Sequence, residues 1–132
     1  MNADLQKLRD SRLFVDLPDR AFEKVLKYIK LRHFERADLV CDFEHGSAEF
    51  KRYFGYVLRG RVAFVDATSQ PLGIAMRDEF FLGKPFSLQE KSVSKLISAH
   101  RETLLVWIPK EVIEALASNS QDFAELIEEI YD

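Results

Sequence analysis

The feature that most constrains how this 132-residue chain can fold is a double change of period in its apolar residues, from helical to strand-like and back. Leu5 and Leu8 are spaced for one face of a short helix. After the breaker-like "FVDLPDR", Phe22, Val25, Leu26 and Ile29 recur at i, i+3, i+4, i+7 while Glu23, Lys24 and Lys27 take the other face, which is the pattern of an amphipathic helix docked on a core. Pro18 suits a first helical turn, where its missing N–H costs nothing, and Asp19 beside it suits the positive end of the helix dipole. The far end returns to this period. Pro109 closes a strand, Val112, Ile113 and Leu116 mark one apolar face, and Phe123, Leu126, Ile127 and Ile130 mark another, with Ser120 in "SNSQD" as the start of the second helix.

Between Leu31 and Trp107 short stretches of β-branched and aromatic residues dominate. "LRHFE", "DLVCDFE", "RYFGYVLRG", "RVAFVDA", "PLGIAM", "KLISAH" and "TLLVWIP" are each short, rich in β-branched and aromatic residues, and bounded by turn chemistry. In "YVLRGRVAFVDATSQPLGIAM", Arg59-Gly60 reads as a tight turn and "DATSQP" as a longer one, predicting three consecutive antiparallel strands. The expected fold is mainly β with flanking helices: seven or eight strands in a jelly-roll barrel. One domain spans 1–132, with helices over about 3–30, the barrel over about 31–108 and helices over about 110–131.

Charge and composition narrow the function. A net charge of -3 argues against general affinity for nucleic acid or an anionic membrane, both of which rely on clustered Lys and Arg. No segment approaches the ~20 apolar residues of a membrane span, and "MNADLQKLRD" lacks a hydrophobic signal core, so a soluble, cytoplasmic protein is expected. Cys41 is the single cysteine, which rules out an internal disulfide and a thiolate metal cage. Its apolar setting in "ADLVCDF" reads as a buried small hydrophobe.

Four stretches, taken in order, carry a resemblance to the cyclic-nucleotide-binding domain family, the sensor module of catabolite-activator-type regulators and of the protein kinase A regulatory subunit. "LRDSRLFVDLPDRAFEKVLKYI" is similar to the family's leading segment. "FERADLV" stands where the family has aromatic-x-x-Gly-Asp-x-Ile, with Ala37 in place of the glycine. "YFGYVLRGRVAFV" looks like its Tyr-hydrophobic-x-Gly-x-Val hairpin, and "TLLVWIPKEVIEAL" like its exit strand and helix. The resemblance covers almost the whole chain and implies a double-stranded β-helix of the cyclic-nucleotide-binding type, with short terminal helices packed on it.

The family's phosphate-binding cassette reads Phe-Gly-Glu-aliphatic-Ala-Leu, a short loop, then Arg-small-Ala-Thr. In it a short helix points N–H groups at the cyclic phosphate, the arginine forks onto two oxygens and the glutamate accepts from the ribose hydroxyl. Here "FFLGKPFSLQEKSVSKLIS" occupies that place. Gly83 matches the glycine and Pro85 could open a short helix near 84–89, but Lys84 stands where the glutamate belongs and can only donate. Ser92 or Val93 stands where the arginine belongs, and no arginine lies between Arg77 and Arg101. Lysine offers a point charge and no planar fork, so the usual cyclic AMP or cyclic GMP chemistry is not encoded. Two readings stay open. Gly83, Lys84, Pro85, Phe86, Ser87, Lys91, Ser92, Ser94 and Lys95 form an altered pocket for some other small anionic, phosphate-bearing ligand, or the lysines are solvated and Phe80, Phe81 and Phe86 fill the barrel mouth.

No catalytic set stands out. His33, His45 and His100 are scattered, without the paired spacing of a metal site, and Lys51 and Arg52 between aromatics in "EFKRYF" read as a solvated loop in an acidic chain. The resemblance implies a non-enzymatic regulatory or sensor module in bacterial signal transduction, with no cofactor and no metal. Its partner would be a small ligand, another protein, or a second copy docked through the terminal helices. Regulators of this type follow the sensor with a long dimerisation helix and a helix-turn-helix; here the chain reaches Asp132 one or two helices past the barrel with an acidic end, so no DNA contact is expected. An exit strand ending Ile-Pro-x-x-Val after a cassette without arginine is also similar to the sensor domains of bacterial proteins that carry CBS and nucleotidyltransferase-like parts. A cyclic-nucleotide-binding protein with lysines in place of the arginine, and a small enzyme on a related β-helix barrel, are the alternatives.

Overall fold

The computed structural model describes residues 2–45, 52–82 and 93–131. In chain order they form α1 (Ala3–Arg9), α2 (Asp19–Leu26), β1 (Lys30–Phe34), β2 (Leu39–Asp42), β3 (Tyr53–Arg59), β4 (Val62–Val65), β5 (Pro71–Ala75), β6 (Phe80–Leu82), β7 (Lys95–Ser98), β8 (Thr103–Pro109), α3 (Lys110–Asn119) and α4 (Gln121–Tyr131). The strands make two antiparallel four-stranded sheets, ordered β1-β8-β3-β6 and β2-β7-β4-β5. Mainly β with terminal helices, as the periods predict, the fold takes the form of two facing ladders among the described residues rather than one closed ring.

The layers follow from which residues can be buried on which face. Tyr56, Leu58, Leu104, Val106 and Ile108 of β3 and β8 pack with the helices, against Leu8, Phe14, Phe22, Ile113 and Phe123. The alternate residues Val57, Leu105 and Trp107 face the second sheet and meet Cys41, Val62, Phe64 and Leu96. The first sheet is therefore covered on both sides, which is why "TLLVWIP" reads as an unbroken apolar run. Among the described residues the second sheet is covered on one side, so β7 alternates half-exposed Lys95 and Ile97 with buried Leu96 and Ser98, and Leu72, Ile74 and Met76 of the β5 region stay exposed.

The expected run of three consecutive antiparallel strands is corrected. Strands β3 and β4 do not form a hairpin. The ladder of β3 is filled on both sides, by β8 and β6, so it has no free edge to offer β4, which pairs instead with β5 and β7. Arg59-Gly60 is a corner where the chain crosses between sheets. Gly60 sits at φ 89°, and a Cβ there would press on Thr103. The β4–β5 hairpin is present, its turn closed by Asp66, whose carboxylate accepts from the N–H groups of Thr68 and Gln70 at 2.9 Å. The short strand β6 had no period to betray it. Pro18 stands just outside α2 as its N-cap rather than in the first turn, and α2 ends at Leu26, not near 30.

Candidate functional site

The place the cassette would occupy lies between β6 and β7, where the first sheet hands the chain to the second. Of the candidate residues, Gly83, Lys84, Pro85, Phe86, Ser87, Lys91 and Ser92, together with the short helix expected near 84–89, lie outside the described residues. Ser94 and Lys95, and the walls on either side, are described.

On the approach, β6 sends its two phenylalanines to opposite faces. Phe80 packs on the helix side, edge-on to Tyr56 with ring centroids 5.3 Å apart. Phe81 enters the space between the sheets and meets Trp107 edge-on, centroids 5.0 Å apart and planes at 83°. Gly55 makes room for this pair, because a Cβ there would lie within the Phe81 ring. Only Phe81 of the two fills the inter-sheet space.

On the departure, Ser94 is buried and tied by its main chain, its N–H donating to Val65 at 2.8 Å and its carbonyl accepting from Phe43 N–H at 2.9 Å. This seats β7 between β4 and β2. Lys95 then pairs in register with Asp42 and Val65 on the outer face of the second sheet, next to Ile97 and opposite in sense to buried Leu96. Of these two candidates, Ser94 is buried at the start of β7 and Lys95 stands half-exposed on the outer surface.

The inter-sheet space is apolar. Val40, Cys41, Val57, Val62, Phe64, Ala75, and then Val93, Leu96 and Leu105, line it beside Phe81 and Trp107. Among the described residues the buried polar side chains are Ser11, Ser94, Ser98 and Thr103, and none carries a charge. Ser98 and Thr103 bond to each other at 2.8 Å near the link from β7 to β8, the end away from the cassette. Burial pushes the Cys41 thiol far above its ordinary range, against a smaller opposing pull from Arg32, so it is an inert wall group. Among the described residues this core supplies no cation for a phosphate.

The histidines are spoken for locally. His33 Nε2 lies 2.7 Å from Asp4, His45 Nδ1 3.1 Å from Asp42, and His100 bonds the Glu102 main chain. Spacing alone did not reveal that Asp42, Glu44 and His45 bring their ligand atoms within 4.8 Å of one another at the surface. Although desolvation raises the Asp42 carboxyl, bonds from His45 and from the Glu44 N–H outweigh it and hold the group below the ordinary carboxylate range. The cluster is thus self-satisfied by a turn.

No protein-family model matches this chain, and no curated protein matches it at a significant level. Solved structures do. The sensor domain of the transcriptional regulator DNR from Pseudomonas aeruginosa superposes with a TM-score of 0.64 at 14% identity, covering 92% of this chain and 86% of that one. CooA, as a variant from Carboxydothermus hydrogenoformans, gives 0.64 at 14% identity over 98% of this chain and 78% of that one. The regulatory subunit of a cAMP-independent protein kinase A from Trypanosoma brucei gives 0.54 at 14% identity, covering 90% and 46%. That structure is of a triple mutant, one change being threonine to arginine, bound to cAMP in the A site. The neighbours are sensor and cyclic-nucleotide-binding regulatory domains, and the fold of this chain is theirs.

Proposed function

We propose that this chain, built on the cyclic-nucleotide-binding jelly roll, is a non-catalytic regulatory module of bacterial signal transduction that does not take cyclic AMP or cyclic GMP in the usual way. It works in the cytoplasm through an altered pocket or through a protein partner. The observation that carries this reading is that no buried residue among the described ones carries a charge, in a chain whose cassette sequence also lacks the family's arginine. A phosphate drawn between the sheets needs a charge-assisted partner, since burying an unpaired anion is prohibitive. The buried polar side chains among the described residues are three serines and a threonine, and the sequence holds no arginine between Arg77 and Arg101. The Trypanosoma brucei neighbour supports the same logic, since the form bound to cAMP carries an added arginine.

Titration of the intact chain with cyclic AMP and cyclic GMP, followed by calorimetry and thermal melting, tests this. A ligand at 100 times its dissociation constant adds about 2.7 kcal/mol, roughly a 10 °C shift for a domain of this size. We expect no shift at millimolar nucleotide. Micromolar binding by the wild type would overturn the reading. If the missing side chains are what silences the pocket, Lys84→Glu combined with Ser92→Arg gains binding.

A further inference from the structure

The helical layer carries a feature that the pocket does not use. Between α2 and α3 lies a depression of about 470 Å³ floored by Pro18, Ala21, Val25, Val112, Ala115 and Leu116. A second, of about 670 Å³, adjoins it and runs toward α4 over Leu13, Leu17, Phe123 and Leu126. The two share Pro18, Ala21, Leu116 and Asn119 in their walls, so they form one trough across the helices, apolar between α2 and α3 and with an apolar floor under polar sides toward α4. Tyr28, 58% exposed, stands at one end.

The trough is charged differently at its two ends. Arg20 and Lys24 rim the α2 end, with Lys27 and a single acid, Glu23, just beyond them. Asp16, Asp122, Glu125 and Glu129 rim the α4 end. Among the described residues Arg20 and Lys24 make no ion pair, while Glu129 has a long contact of 3.6 Å to Arg12. An apolar floor with opposite charges at its ends excludes occupants of uniform sign, because one end would always repel them.

The geometry points to a docking site for an amphipathic helix of a partner protein, apolar on the face it buries, acidic in the half that lies by Arg20 and Lys24 and basic in the half that lies by Asp122 and Glu125. A concave trough cannot be filled by the same trough of a second copy, and α4 has already committed Phe123 and Ile127 to its own core. A helix in a groove satisfies both the apolar floor and the split rim. The site stands on the trough alone, whether or not the inter-sheet pocket takes a ligand.

Fluorescence anisotropy with the full chain and labelled peptides of roughly four helical turns tests it. Each peptide carries leucines at i, i+3, i+4 and i+7. One has glutamates in one half and lysines in the other, one is all-glutamate, one all-lysine, and one keeps the divided charges with the apolar positions scrambled. The divided peptide should bind at least tenfold tighter than the other three. Arg20→Glu with Lys24→Glu, both exposed, should abolish that preference and transfer it to the all-lysine peptide, with circular dichroism checking that the variant is folded. Ala115→Gln, on the exposed side of α3, should weaken the divided peptide. Equal binding of all charged peptides, or indifference to the Arg20 and Lys24 reversal, overturns the proposal. So does a concentration-dependent dimer in light scattering that Lys24→Glu dissociates, since a second copy would then hold the trough.

Discussion

Ala37 shows how a single residue records the family pattern and a departure from it. It stands where the resemblance places a glycine, and its φ is 71°. Its N–H donates to Ser98 at 2.8 Å and the flanking turn is closed by Asp38, whose side chain accepts from Glu35 N–H at 2.7 Å. The position therefore needs a left-handed residue, and alanine bears a cost of about 1–2 kcal/mol there. Glycine would remove that strain but lose more entropy on folding, about 0.5–1 kcal/mol. Ala37→Gly should accordingly raise stability by about 0.5–1 kcal/mol, read as a higher urea midpoint with unchanged slope. A lower midpoint would show that the strain is not felt.

At the scale of elements, the question is what holds the irregular stretch between α1 and α2, which has no ladder of its own. Arg9, at the end of α1, answers it. Its guanidinium donates to the carbonyls of Phe14 and Leu17 and to Asp19 at 2.8 Å, and it lies 4.9 Å over the Phe22 ring. One planar fork thus fixes the exit of α1, the turn and the start of α2, and with them the near wall of the trough. Arg9→Ala should cost about 2–3 kcal/mol. Arg9→Lys should recover less than half, because an ammonium's three donors radiate from one nitrogen and lack the span of the guanidinium's two terminal nitrogens, and thermal melting of the three proteins checks the order. The elements also show what sequence could carry. The helices were legible because burial on one face imposes a period, and seven strands because short β-branched and aromatic runs stand between turn residues. The partnering of β3 was not, because a strand buried on both faces gives no sign of which neighbour it takes. Nor was the orientation of Lys95, which depends on the register β7 adopts between β2 and β4. In the cassette, the missing arginine and glutamate were plain from sequence, whereas the trough was invisible because it joins residues from α2, α3, α4 and the turn before α2.

For the whole molecule, the decisive fact is that both cores share one wall. Residues of β3 and β8 alternate between them, Tyr56, Val106 and Ile108 toward the helices, Val57, Leu105 and Trp107 toward the second sheet. Loosening the helical layer exposes the backs of strands whose fronts hold the inter-sheet core, so neither core can melt alone without opening the other. Unfolding should therefore be a single cooperative transition. Three probes sit in different layers. Far-UV circular dichroism at helical wavelengths follows the helices. Fluorescence follows Trp107, the one tryptophan, in the inter-sheet core. Labelling of Cys41 reports access to the second sheet, since burial keeps that thiol protonated and unreactive until the sheets part. In urea the three midpoints should coincide. Cysteine labelling or tryptophan exposure at a lower urea concentration than the loss of helix would mean that the sheets separate on their own. The shared wall would then be no conduit between the inter-sheet core and the helices, and any coupling of one to the other would need a different route.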